Sequence, residues 1–87
     1  MELEWDRKKS VSNNRKRAVS FVEAATVFGD PLAITFRDPD LSWDEDRFIT
    51  FGTSQLGRLL VVSHVDRFNA TRIISSRRMT RQDEEHV

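Results

Sequence analysis

The run Leu59-Leu60-Val61-Val62-Ser63-His64-Val65, introduced by Arg58, constrains this chain more than any other stretch. It is the most apolar segment and is rich in β-branched residues, so it predicts the central strand of a sheet. At 87 residues, the chain has room for one domain, residues 1–87, whose single core must be built against that strand.

The flanking sequence supplies its neighbours. Arg47 to Gly52 carries Phe48, Ile49 and Phe51 and predicts a strand, and Leu32, Ile34 and Phe36 alternate with Ala33 and Thr35 as a second. Asp66 to Ala70 predicts a turn into a third, which holds Ile73-Ile74. At the start, Leu3 and Trp5 alternate with Glu2 and Glu4 in a short edge or near-edge strand. Asp6 reads as the N-cap of a basic helix that runs through Lys16 and is poor in apolar residues. Ser20-Phe21-Val22-Glu23 is a capping box, Phe21, Ala24, Ala25 and Phe28 form one apolar stripe, and Gly29-Asp30-Pro31 stops the helix. Thr80-Arg81-Gln82-Asp83 is a box with Asp in place of Glu, opening a short final helix. The expected fold class is therefore α+β: a two-layer β-α-α-β-β-β-β order plus a C-terminal helix, with an antiparallel sheet and the helices on one face. Arg37 to Glu45 is expected to be an acidic loop, with Trp43 either tucked onto the core or presented to a protein partner.

Composition removes several functions. The chain has no cysteine, which excludes disulfide scaffolds, zinc ribbons and thiol nucleophiles and suits a reducing cytoplasm. No apolar run reaches the roughly 18 residues a spanning helix needs, and no signal peptide is expected, so no membrane partner is anticipated. Glycines occur singly, which leaves no phosphate loop; with two histidines and no EF-hand spacing, neither a metal nor another cofactor is expected. Basic and acidic residues balance at 14 each, yet they are segregated. Residues 7–17 sum to +6, residues 30–46 to −5 and residues 58–81 to +5. If the two basic segments meet, they form a cationic face on a neutral protein, and local field governs phosphate binding.

The stretch Arg72-Ile73-Ile74-Ser75-Ser76-Arg77-Arg78-Met79-Thr80-Arg81 concentrates that charge. A guanidinium fork matches two phosphate oxygens at once, which suits a phosphodiester backbone; the alternative is that these arginines only solvate a sheet edge. Plain alternation puts Arg72 and Arg78 on one face and Arg77 on the other. Arg72 and Arg77 therefore converge only through a bulge or twist near Ser75-Ser76, or across the strand's end. RNA cleavage without a metal fits such residues, because the 2′-hydroxyl is the nucleophile and the protein stabilises the phosphorane and moves protons. Candidates for that work are Arg72, Arg77 and Arg47 for the charge and His64, Lys16 or an acid such as Asp46 for the protons, with Lys8, Lys9, Arg15, Arg17, Arg78 and Arg81 as RNA contacts. His64 in an apolar strand is more often a hydrogen-bonded packing histidine than a base.

Taken together, the motifs resemble the BrnT toxins. They are Trp5-Asp6 with Lys8 or Lys9, Asn13-x-x-Lys16, Val19-Ser20-Phe21-x-Glu23-Ala24-Ala25, Phe28-x-Asp30-Pro31, Asp46-Arg47 before Gly52, Arg58-Leu59-Leu60-Val61-Val62, and Arg72-Ile73-Ile74-Ser75-x-Arg77 followed by Thr80. The resemblance implies a RelE-like ribonuclease toxin of a type II toxin-antitoxin system that cleaves mRNA in the cytoplasm. A BrnA-type ribbon-helix-helix antitoxin would neutralise it in a heterotetramer that reaches DNA only through the antitoxin. Where the family commonly has Lys-His-Gly, this chain has Lys16-Arg17-Ala18, and a tyrosine often found near the end is Val87. The same resemblance thus also admits a catalytically weakened homologue that serves as an antitoxin-binding or RNA-binding module.

Overall fold

Leu60 and Val62 are fully buried against Val19, Phe21, Ala24 and Val27 of a helical layer, with Ile73 beside them. The computed structural model describes residues 2–38 and 46–86. The remainder of the acidic loop, including Leu41 and Trp43, lies outside the described residues.

The elements are β1 (Glu2–Trp5), α1 (Arg7–Arg17), α2 (Phe21–Thr26) continued by a 3-10 turn over Val27–Gly29, β2 (Ile34–Arg37), β3 (Arg47–Thr53), β4 (Leu59–Arg67), β5 (Ala70–Arg78) and α3 (Arg81–His86). They form one sheet in the order β1-β5-β4-β3-β2, which makes β4 central. The last four strands pair antiparallel, but β1 pairs parallel with β5, so the sheet is mixed rather than antiparallel throughout. The cause is the connection. The short links 54–58 and 68–69 reverse the chain from β3 through β5, whereas the two helices after β1 span enough chain to leave it parallel to β5.

Local chemistry sets the helix ends. The Asp6 carboxylate accepts from the amides of Lys8 and Lys9, which starts α1 and lowers its pKa. Helix α1 closes on Ala18, whose φ of 58° is left-handed backbone normally given to glycine. Ser20 Oγ accepts from Glu23 N at 3.1 Å, but the reciprocal half of that box is absent. The Glu23 carboxylate instead accepts from Ser54 Oγ and from Nε and Nη2 of Arg58, tying α2 to the β3–β4 turn. Gly52 explains how closely that layer sits: a Cβ there would meet Val27 Cγ1 at 2.8 Å. Each large side chain sealed in this layer contributes roughly 1.5–3 kcal/mol.

Helix α1 buries no residue. Strand β1 covers the β5 edge only from Ala70 to Ile73. Beyond that point, Asn13 of α1 takes over the edge: its Nδ2 donates to Ser76 O and its Oδ1 accepts from Ser76 N. The Asn13 side chain is thus spent inside the fold.

Candidate functional site

A bulge in β5 creates the site. Ser63 lies opposite Ser75 and His64 opposite Ile73, which leaves Ile74 as the extra residue. Alternation reverses there. Residues opposite one another in an antiparallel pair share a face, so Arg72, Ser75 and Arg77 come to one side of the sheet and Ile73, Ser76 and Arg78 to the other.

The face away from the core is consequently laid out in rows. The first runs Arg47, Val65, Arg72 and Glu4 across four strands. Phe36, Ile49, Ser63 and Ser75 make the second, and Ile34, Phe51, Val61 and Arg77 the third. The sheet thus brings Arg47, Arg72 and Arg77 together on one face. Val65 and Val61 are four residues apart, which sets Arg72 and Arg77 about 13 Å apart along the strand. They turn to different carboxylates: Arg72 Nη1 lies 4.0 Å from Glu4 Oε1, and Arg77 forms a two-pronged pair with Asp83 at 2.6 and 3.1 Å. A single-phosphate clamp made of these two arginines is therefore not the resting arrangement.

Arg17 is the nearer companion of Arg77. A hollow of about 150 Å³ is lined by Arg17, Val61, Ser63, Ser75, Ser76 and Arg77. A second, of about 240 Å³, adjoins it through Arg17 and Ser75 and adds Lys9, Ser12, Lys16 and Ile74. Helix α1 brings these cations to β5 because Asn13 ties it to the main chain of Ser76, beyond the stretch that β1 covers. Lys9, Lys16 and Arg17 make no ion pair with the described residues. Lys8, Arg15 and Arg81 are exposed and line neither hollow, while Arg78 is on the opposite face. A larger hollow, about 480 Å³, lies at the β3–β4 turn; no cation lines it, and its Asp30 carboxylate is engaged by the amides of Leu32 and Thr53.

His64 is separated from this face. It is 3% exposed on the core side, with Nε2 2.7 Å from Thr50 Oγ1 and Nδ1 3.0 Å from Asp66 Oδ1. Phe28 meets its ring edge-on and Phe48 stacks on it. This is the packing histidine, not a group that reaches the arginines. Ser63 and Ser75 were missed as lining residues because their shared face depends on the bulge, which strand periodicity does not reveal.

Asp83 completes the geometry. It accepts from the Thr80 amide at 2.7 Å while Thr80 Oγ1 accepts from its amide, a full capping box with Asp in the Glu position. The Arg77 guanidinium, helped by Thr80, holds its carboxyl far below the usual carboxylate range. Among the described residues, no group of three or more acidic or histidine side chains gathers where it could hold a metal. No described helix is long and apolar enough to cross a membrane.

These features define a small α+β protein with an open cationic sheet face backed by an edge-mounted basic helix. The chain belongs to the BrnT toxin family, described as the ribonuclease toxin of type II toxin-antitoxin systems, whose pattern it matches over residues 5–83. Its fold is similar to the crystal structure of the Brucella abortus ribonuclease toxin BrnT, with a TM-score of 0.70 and 19% identity over 93% of this chain and 99% of that one. No curated protein matches the chain. As a member of a type II toxin family, it has an antitoxin as its implied partner.

Proposed function

We propose that this chain is a RelE-like endoribonuclease that cleaves mRNA without a metal ion and uses the paired arginines of the β5 face to hold the reacting phosphate. The observation that carries this reading is the shared hollow in which Arg17 and Arg77 stand with Ser63 and Ser75. In the reaction, the 2′-oxygen of the RNA bonds to phosphorus and the bond to the 5′-oxygen breaks, leaving a 2′,3′-cyclic phosphate and a 5′-hydroxyl. The nucleophile's proton passes to water and the leaving oxygen takes one up. Negative charge grows on the phosphorane oxygens, where a fixed guanidinium is worth most. Arg77 and Arg17 serve that charge, Arg72 and Arg47 hold flanking phosphates on the first row, and Lys16 and Lys9 extend the track along α1.

The same face suits control by a BrnA-type ribbon-helix-helix antitoxin, whose acidic segment would cover the arginines. Two toxins on an antitoxin dimer would make a heterotetramer that meets promoter DNA only through the antitoxin, in the cytoplasm where mRNA is the target. A second reading, a weakened toxin that chiefly binds its antitoxin, is favoured by Arg17 in the place of the family histidine.

Induced synthesis in a bacterium separates the two. The enzyme reading expects growth arrest with loss of mRNA, and Arg77→Ala abolishes both. Absence of arrest together with tight antitoxin binding establishes the second reading instead.

A further inference from the structure

Arg77 cannot offer its end-on fork, Nη1 with Nη2, to a phosphate while Asp83 holds it. Both terminal nitrogens are engaged: Nη1 donates to Asp83 Oδ2 at 2.6 Å and to Arg78 O at 3.3 Å, and Nη2 donates to Asp83 Oδ1 at 3.1 Å. A carboxylate and a phosphate present the same pair of oxygens to a guanidinium, so the occupant is a chemical stand-in for the ligand. We infer that α3 is a self-masking element whose Asp83 carboxylate occupies the phosphate seat at Arg77 and must leave before RNA binds there. This rests on the reading of the β5 face as an RNA site.

The capping box explains how one short helix can do this. Thr80 and Asp83 satisfy each other's amides, which fixes the carboxylate within reach of β5 without any bulky packing from α3. The element is light enough to be displaced. Helix α3 has six residues, follows β5 directly, and none of its described side chains joins the buried core. Asp83 keeps 16% side-chain exposure and Arg77 39%, so the arginine is the more accessible partner of the pair. When RNA docks, a backbone phosphate replaces the carboxylate on Nη1 and Nη2 and α3 swings aside; no covalent step is involved. The competition lowers apparent affinity by the fraction of molecules in which Arg77 is released. An acidic antitoxin segment faces the same internal competitor.

The test is equilibrium binding of a short 2′-O-methyl RNA oligonucleotide, which cannot be cleaved, to the full chain and to Asp83→Asn. Asparagine keeps an oxygen for the Thr80 amide and removes the charge, so the helix cap survives. Binding should tighten by about tenfold, and cleavage of ordinary RNA should rise at subsaturating substrate. Thr80→Ala, which removes the hydroxyl that accepts from the Asp83 amide and donates to its carboxylate while leaving the charge in place, should give a smaller gain in the same direction. If Asp83→Asn binds no better, or cleaves more slowly, while Arg77→Ala still loses binding, Asp83 is a positioning residue for Arg77 and the masking is overturned. If Arg77→Ala binds as the parent does, the RNA site itself is misassigned and the mask falls with it.

Discussion

Asn13 holds the main chain of Ser76 at two points: its Nδ2 donates to Ser76 O at 2.8 Å and its Oδ1 accepts from Ser76 N at 3.2 Å. The second Nδ2 hydrogen goes to Val19 O at 2.7 Å, so one side chain joins α1, the start of α2 and β5. This junction keeps Lys16 and Arg17 beside Arg77. Asn13→Ala should cost about 2–3 kcal/mol, because part-buried backbone groups lose their partners. Asn13→Asp should cost more, since a carboxylate would face two carbonyl oxygens that now receive N–H groups. Denaturant melts of both variants check the order; an aspartate variant as stable as the parent would contradict the junction.

Ala18 sits in left-handed backbone at φ 58° because α1 must end sharply, and its carbonyl accepts from Arg58 Nη2 at 2.8 Å. A Cβ is disfavoured there by roughly 1–2 kcal/mol, partly offset by the greater freedom glycine has when unfolded. Ala18→Gly should therefore stabilise the domain by about 1 kcal/mol, which raises Tm by about 4–8 °C in a chain of this size. A thermal melt that moves the other way would show the turn to be unstrained.

Much of the fold is legible in the sequence because its signals are local. The Asp6 cap, the Ser20 cap and the alternating strands each declare themselves within a few residues, and the apolar run from Leu59 does become the centre of the sheet. The mixed sheet is not legible, since the parallel pairing of β1 depends on where two helices deliver the chain. The site is less legible still. Which arginines share a face turns on one extra residue, Ile74, and the diversion of Glu23 to Arg58 requires a partner 35 positions away. Asp83 reads as a cap in the sequence and is one; that it also holds Arg77 follows only from the way β5 runs into α3.

The Glu23 pair makes stability depend on acidity. Arg58, then Ser54, holds the Glu23 carboxyl below its ordinary value although burial opposes this. A depressed carboxylate contributes stability that is complete above the unfolded glutamate range, about 4.5 or a little lower, and that is lost as pH falls through the folded value. Glu23→Gln should therefore lower Tm at pH 7 and converge with the parent as the solution is acidified through and below that range. A gap between the two that stays constant from pH 7 to pH 3 would remove the ion pair as its cause.

Arg17 decides how much catalysis this face can supply. A guanidinium stabilises charge but does not lose its proton near neutrality, so the hollow shared with Arg77 holds phosphate better than it moves protons. Arg17→His places an imidazole at that position, in the hollow that Ser63 and Ser75 line. General acid–base groups are worth roughly 10²- to 10⁴-fold, so kcat for RNA cleavage should rise at least tenfold. KM should rise modestly, because one phosphate-holding charge is weakened. The rate should also gain an inflection about pH 6.5, the ordinary imidazole range, that the parent lacks at this position. The measurement is the full pH–rate profile of parent and variant on one RNA substrate. An unchanged kcat with the parent's profile would mean that proton transfer does not limit the reaction, and that Arg17 contributes to this face through charge alone.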